Sequence, residues 1–426
     1  MKRIAPTLSL LALAGFAGAE VISDDAAKIT VGLLTQARMD VNKGSFNNPT
    51  GNINDTYSPT EGVAGKPDTA DFYLRRVRPA LRGTFGNGFV FQTTLAADNA
   101  GKNGSNAVTV TLFDAFAGRK WTDGSVSHTV VAGKKNAWFA MSNFTSGTNL
   151  LPSMRPLTAV GVPNNVGAGY RLDAPYIRFG VDVLNNAGTG YNSTAAALNG
   201  NGDDIASATQ NSGEGLWYSG RFEITGAGDW ASAWQESFAG RPGHGFVVGL
   251  EAGAVNNDRV TDADAVTNGL QAGKTSAFIY GLEAMIHIDG LTAVADVRGQ
   301  KTTPTPDVGN APDQITGRTY SIQAGYALQS GMELIPVIEP AVRFAEVDNN
   351  TDTDGDSNAT YGGADYSGSG RTIELGLNGY FNGHKNKLSA DFIAWKGEQP
   401  RNVTTGVASG DAPTAYIFRV QHQLWF

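Results

Sequence analysis

The sequence contains no cysteine. That excludes a disulfide framework, a thiolate metal site and a cysteine nucleophile. Histidine is scarce at 5 residues. His128, His244, His287, His384 and His422 stand apart, in none of the spacings that mark zinc sites or serine nucleophiles. No catalytic centre and no cofactor are expected. Charged residues are 17% of the chain and the formal net charge is −8, so nucleic acid is not an expected partner. Long apolar runs are also missing: beyond residue 16 no stretch approaches the roughly 18 residues a transmembrane helix needs. Any membrane crossing must be made by strands.

What is present is glycine and alternation. The chain has 54 Gly against 17 Pro, an excess without collagen period that fits many strands joined by turns. The N-terminus, "MKRIAPTLSLLALAGFAGAE", has Lys2 and Arg3, an apolar run and Ala17-Gly18-Ala19. It reads as a signal peptide over residues 1–19, a retained signal anchor being the alternative, with one domain over 20–426.

Period-two patterning dominates the rest. Ile177, Phe179, Val181 and Val183 oppose Arg178 and Asp182; Leu388, Ala390, Phe392 and Ala394 oppose Ser389, Asp391 and Trp395. The same reading gives strands near 27–41, 72–83, 87–97, 107–119, 126–135, 164–172, 175–184 and 214–224. A second set falls near 243–254, 274–287, 290–300, 315–327, 333–346, 368–381, 386–396 and 413–426. The number is even, and long polar connections alternate with short turns, as in bacterial outer-membrane barrels. A secreted sandwich or solenoid would also alternate. Here the second face of most strands carries charges, which a dry core does not tolerate and a wet lumen does.

The expected fold is therefore all-β: a 16-stranded antiparallel transmembrane barrel with short periplasmic turns, long extracellular loops and an inward-folded third loop. Two segments strain the pattern. Pro336 and Pro340 in strand 333–346 predict a local bulge or kink, because proline removes ladder donors. Connection 225–242 should be a short turn but is long, and Trp230, Trp234 and Phe238 recur at helical spacing, predicting a short interfacial helix. The terminal "TAYIFRVQHQLWF" alternates to its last residue, as the strand that closes a barrel must.

Several stretches resemble the phosphate-selective porin O/P family. They are "FYLRRVRPALRGTF" (72–85), "EPAVRFAEVD" (339–348), "LGLNGYFNGHKNKLSADF" (375–392) and the terminal "RVQHQLWF". "FDAFAGRKW…VVAGKKNAWF" (113–139) is looser, with Asn136 where the family has Lys and Trp138 where it has Pro. The resemblance implies sixteen strands, a homotrimer in the bacterial outer membrane among lipid and lipopolysaccharide, and passage of small solutes.

Three motifs bear on passage. With Tyr73, Val77 and Leu81 outward, Arg76, Arg78 and Arg82 form a lumenal stripe and Arg75 faces outward. Such a stripe can draw anions along, or it can balance acids opposite. By the same phase Arg38, Arg178, Arg221, Arg298, Arg343, Lys387 and Arg419 face in, with Asp40, Asp182, Glu223, Glu251, Glu283, Asp296, Glu339, Glu374 and Asp391. The third loop, 136–163, holds no acid; Arg155 lies within it and Lys134 and Lys135 precede it. Folded inward, it should favour small anions; it can also stay outside. Finally, Asn350, Asp352, Asp354 and Gly355 match calcium-loop positions, with Asp356 beside them. Tyr361 stands where the bidentate acid belongs, so a solvated acidic loop is the alternative.

The expectation is an outer-membrane porin passing small hydrophilic solutes by diffusion, with mild preference for anions, possibly phosphate. The alternative is a structural or adhesive barrel plugged by its loops.

Overall fold

The computed structural model describes residues 20–23, 27–44, 68–102, 108–140, 145–153, 164–185, 216–226, 235–240, 243–257, 273–306, 315–348, 370–397 and 414–426. The segment read as a signal peptide, Arg155, and the acidic loop with Asp352, Asp354 and Asp356 lie outside the described residues.

Exposure alternates residue by residue. Ile177, Phe179, Val181 and Val183 are exposed, while Arg178, Asp182 and Leu184 on the other parity are buried. Water would not leave large apolar side chains outside and charges inside; a bilayer around a polar lumen does.

The strands that carry this pattern form one antiparallel sheet. Its first half is β1 (Glu20–Ser23), β2 (Ala27–Gly44), β3 (Asp68–Phe85), β4 (Phe89–Ala96), β5 (Thr111–Asp123), β6 (Val126–Asn136), β7 (Asn164–Asp173), β8 (Ile177–Asn185) and β9 (Leu216–Thr225). Its second half is β10 (His244–Asn257), β11 (Gly273–Ile288), β12 (Leu291–Pro306), β13 (Ile315–Tyr326), β14 (Leu328–Gln329), β15 (Val337–Asp348), β16 (Gly370–Asn382), β17 (Asn386–Gly397) and β18 (Thr414–Trp425).

Each long strand pairs with the next, and β18 returns to β2, from Ala415 opposite Gly44 to Trp425 opposite Leu34. Phe426 and Leu33 exchange two further backbone hydrogen bonds, 3.1 and 3.3 Å. The result is a closed 16-stranded barrel. The short β1 pairs the start of β2, with Ile22 opposite Ile29, beyond the reach of β18. The short β14 continues the β13 edge along β15.

Most expected strands fall within a few residues of the observed ones. The strand expected at 107–119 lies at 111–123 instead. Its hairpin is the two-residue turn Gly124-Ser125, and Gly124 takes the left-handed φ of 58° that only glycine adopts cheaply.

The two strained segments differ from expectation. Around Pro340 the β15–β16 register is unbroken, with Pro340 opposite Leu377. On the other side the register is also kept, but no ladder pair forms between Gly325–Ala341 and Leu328–Ile338. The missing donor of Pro340 interrupts the ladder there instead of bulging it. Pro336 sits in the preceding turn, where its carbonyl accepts from Ser330 N–H at 2.9 Å. In connection 226–243, Trp230 and Trp234 lie outside the described residues, and residues 235–240 are not helical. Phe238 is buried against Val247, Met285 and Val294. Its neighbours are lumenal wall, so Phe238 is buried inside the barrel and does not lie on an interfacial face.

Candidate functional site

The lumenal face begins with β3. Between Gln36 and Ala37 the β2–β3 register slips, so that Gln36 faces Arg76 and Ala37 faces Leu74. Arg75 is the extra residue of a bulge, and a bulge turns two successive side chains to one face. Phe72 and Leu74 point outward before it, and Tyr73, Arg75 and Arg76 are buried on the inner face. The outward assignments of Tyr73 and Arg75 are thereby corrected: a strict period of two cannot register an inserted residue. Tyr73 Oη donates to Asp40 at 3.0 Å, and Arg75 donates to Asn99 at 3.2 Å.

Around this bulge cations gather. Arg76 donates to Gln36 at 3.0 Å, and Arg78 Nε donates to Asp98 at 3.0 Å. Arg38 donates to Gln421 through Nε at 3.0 Å, and Arg419 is bidentate on Asp40 at 2.7 and 3.0 Å. Arg75 has Arg76, Arg38 and Arg78 as charged neighbours, with Asp98 the acidic one. The Arg78 guanidinium also lies 4.0 Å from the Phe113 ring centroid, a cation–π contact.

The third loop folds into the barrel. Its root packs Ala137, Phe139 and Ala140 against Leu184, Trp217 and Ile279 of the wall. Its tip, Thr148–Ser153, is held by polar wall groups. Gln423 donates to the Thr148 carbonyl at 3.2 Å, Lys387 to Leu150 at 2.9 Å and Asn378 to Leu151 at 2.6 Å. Ser153 N–H donates to Asp391 at 3.0 Å, and Arg38 donates back to the Ser153 carbonyl at 3.2 Å. Backbone groups buried in this way must be partnered, which is why the wall beneath the loop is polar.

The loop divides the lumen. Beneath it, charges are buried in networks. Arg221 meets Glu223 at 2.5 Å, Glu283 at 2.7 Å and also Glu251. Arg298 meets Glu283, Glu251 at 3.3 Å and Asp296 at 3.7 Å. Arg178 bridges Asp173 at 2.7 Å and Glu223 at 3.3 Å, and Arg343 pairs with Glu374 at 2.6 Å. On the β3–β5 wall, by contrast, the inner-face residues Arg82, Thr84, Lys120 and Thr122 are exposed. Water reaches the inner face of that wall near the Gly86–Gly88 and Gly124-Ser125 turns.

The expected residues therefore separate. Arg76, Arg78 and Arg82 share the β3 inner face. Arg178, Arg221 and Arg343 are lumenal but already matched by carboxylates. Lys135 is buried against Asp182 and lies 4.7 Å from the Trp138 ring centroid. Lys134 is a correction: its register partners are Ala115 and Val166. Val166 is exposed on the outer face, and so is Lys134's side of the strand. Adjacent strand residues point opposite ways, so Lys134 and Lys135 cannot both line a pore.

Sequence reasoning passed over Asp98, Asp114, Lys120, Arg171 and Glu236. The parity of Lys120 and Arg171 was readable. Register pairs both with Thr129, and so with the inner face. Glu236 had no local signal, because a connection carries no period.

A closed barrel with an apolar exterior, a charged interior and an inward loop is an outer-membrane porin. Sequence comparison agrees: the profile of the phosphate-selective porin O and P family matches residues 48–424, and the chain belongs to that family. Comparison with curated proteins found no match.

Solved structures share the fold. The outer-membrane channel DcaP of Acinetobacter baumannii aligns over 96% of this chain and 100% of its own, with TM-score 0.57 and 11% identity. An anion-selective porin from Comamonas acidovorans aligns over 93% and 100%, with TM-score 0.54 and 11% identity. The trimer form of OmpT, an outer-membrane protein of Vibrio cholerae, aligns over 94% and 100%, with TM-score 0.50 and 11% identity.

Proposed function

We propose that this porin passes small hydrophilic solutes by diffusion with a mild preference for anions, phosphate among them. The arginine cluster on the β18–β2–β3 wall carries the reading. Arg38, Arg75, Arg76 and Arg78 sit together, with Asp40 and Asp98 among their acidic neighbours. Arg82 extends the stripe into water. Guanidinium groups hold oxyanions through paired donors, and a low-dielectric wall strengthens their field. The ion-paired networks beneath the loop set Arg178, Arg221, Arg298 and Arg343 against a larger number of carboxylates, which keeps the preference mild. The Comamonas acidovorans neighbour bears the description anion-selective, which supports the same direction.

A homotrimer surrounded by outer-membrane lipid and lipopolysaccharide is part of the proposal. It rests on family membership and on the trimer form of the Vibrio cholerae neighbour. An SDS-resistant band at about three times the monomer mass would support it, and monomer alone in mild detergent would count against it.

Reversal potentials in planar bilayers under a KCl gradient test the preference; a value of cation-selective sign overturns it. The plugged-barrel reading has one observation in its favour, the burial of most lumenal side chains on β8–β18 under the loop. Absence of steady conductance from folded protein would sink the porin reading and leave this one.

A further inference from the structure

We propose that residues 235–240 of the periplasmic connection are a latch that seats the tip of the third loop and so sets the width and steadiness of the open path. Every other described connection at this end of the barrel is short. This one turns inward: Glu236 is 1% exposed, Ser237 0% and Phe238 7%.

Among the described residues, two hydrogen bonds join the connection to the loop tip. Ser237 N–H donates to the Asn149 carbonyl at 3.1 Å. Leu151 N–H donates to Glu236 Oε2 at 3.2 Å. Leu150 and Leu151 are themselves 1% and 0% exposed, so the tip lies between the barrel wall and the connection.

The connection is in turn pinned to the wall. Ser237 Oγ donates to Glu339 Oε2 at 2.7 Å and lies 2.6 Å from Tyr380 Oη, while Tyr380 Oη also donates to Glu339. His384 Nε2 donates to the Ser237 carbonyl at 2.9 Å. The Phe238 ring stacks on His287 with centroids 3.9 Å apart, over the patch formed by Val247, Met285 and Val294. Glu339, Tyr380, His287 and His384 belong to β15, β16, β11 and the β16–β17 turn. Ser237 and Phe238 therefore tie separate parts of the barrel rim to one loop.

The physical consequence follows from counting supports. Wall side chains hold the loop tip from the side, through Asn378, Lys387 and Gln423. The connection holds it from below. Without the lower seat, Leu151 N–H and the Asn149 carbonyl lose buried partners. The tip then moves or hydrates to satisfy them. A loop that bounds the water path and moves makes the conductance fluctuate.

The inference rests on passage through this lumen and is independent of the anion preference. The chain lacks cysteine, so Asn149→Cys with Ser237→Cys introduces one clean pair. The two residues are joined by a backbone hydrogen bond. Ser237→Cys also removes the hydroxyl that ties the connection to Glu339 and Tyr380. The disulfide, its formation checked by loss of thiol alkylation, replaces that anchor with a covalent one. In planar bilayers the oxidised channel should conduct steadily, near the wild-type level. Adding a reductant to the same channel should raise mean conductance and open-channel noise.

A second variant, Glu236→Ala with Phe238→Ala, should show the same noise with an unchanged reversal potential. Unchanged conductance and noise in both the reduced pair and this variant would overturn the latch. Should the second variant fail to fold, Glu236→Ala alone, which removes the acceptor of Leu151 N–H, decides: unchanged conductance and noise in it would overturn the latch. Failure of the wild type to conduct would instead remove the passage reading, and a changed sign of reversal potential would touch only the selectivity.

Discussion

Arg75 and Arg76 are consecutive in the chain, yet both side chains are buried on the lumenal face, because the β2–β3 register slips between Gln36 and Ala37. The slip concentrates charge: with Arg78 one turn of the pleat further on, three guanidiniums crowd the wall near Asp98. Replacing Arg75, Arg76 and Arg78 by Ala should lower the anion-to-cation permeability ratio. A unit charge at 4 Å is worth about 1 kcal/mol even in water, about fivefold in the ratio. The change should fade between 0.1 M and 1 M salt as the Debye length falls from about 10 Å to about 3 Å. Lys134→Ala, on the outer face, should leave the reversal potential where it was. A triple variant with wild-type reversal potential would show that the cluster does not govern selectivity.

Accessibility should follow the division of the lumen. Arg82→Cys and Lys120→Cys, on the open wall, should react rapidly with a negatively charged methanethiosulfonate, with a drop in conductance as each is modified. Ser389→Cys, fully buried beneath the third loop, should react slowly or not at all. Equal rates at all three positions would place the water path elsewhere.

The networks beneath the loop should behave as buried charges. Arg221→Ala leaves Glu223, Glu251 and Glu283 close together, still paired with Arg178 and Arg298 but short of one cation. Breaking a buried pair from one side typically costs about 3–5 kcal/mol. Arg171, 27% exposed beside Asp173, should cost at most about 1 kcal/mol on the same change. Urea titrations of heat-modifiable migration, read as the midpoint for folded protein, can compare them. Similar midpoints for the two variants would mean that the Arg221 cluster is hydrated.

Much of this was legible along the chain. The alternation of Ile177, Phe179, Val181 and Val183 with Arg178 and Asp182 gave both the strand and its lumenal face, and the same rule placed Arg221, Glu251, Arg298 and Arg343 correctly. The rule failed where the chain adds a residue without a mark, as at Arg75. It also failed where two lysines in succession tempted a reading by composition, as at Lys134 and Lys135. Pro340 announced a disturbance but not its form, since a missing donor can be met either by a bulge or by a silent gap in the ladder.

Sequence alone determined that this chain is a closed barrel with an apolar outside and a charged inside. Period, strand length and turn chemistry are local properties, and a sheet with one lipid face and one wet face has to repeat them in every strand. Tertiary structure alone decided which lumenal charges face water. Arg82 and Arg298 are both on inner faces, but the third loop lies over one region of the wall and not the other. That placement depends on contacts such as Leu151 with Glu236 and Ser153 with Asp391, between residues 85 and 238 positions apart. No periodicity records a hydrogen bond across that distance, because the partner is chosen by the closure of the barrel.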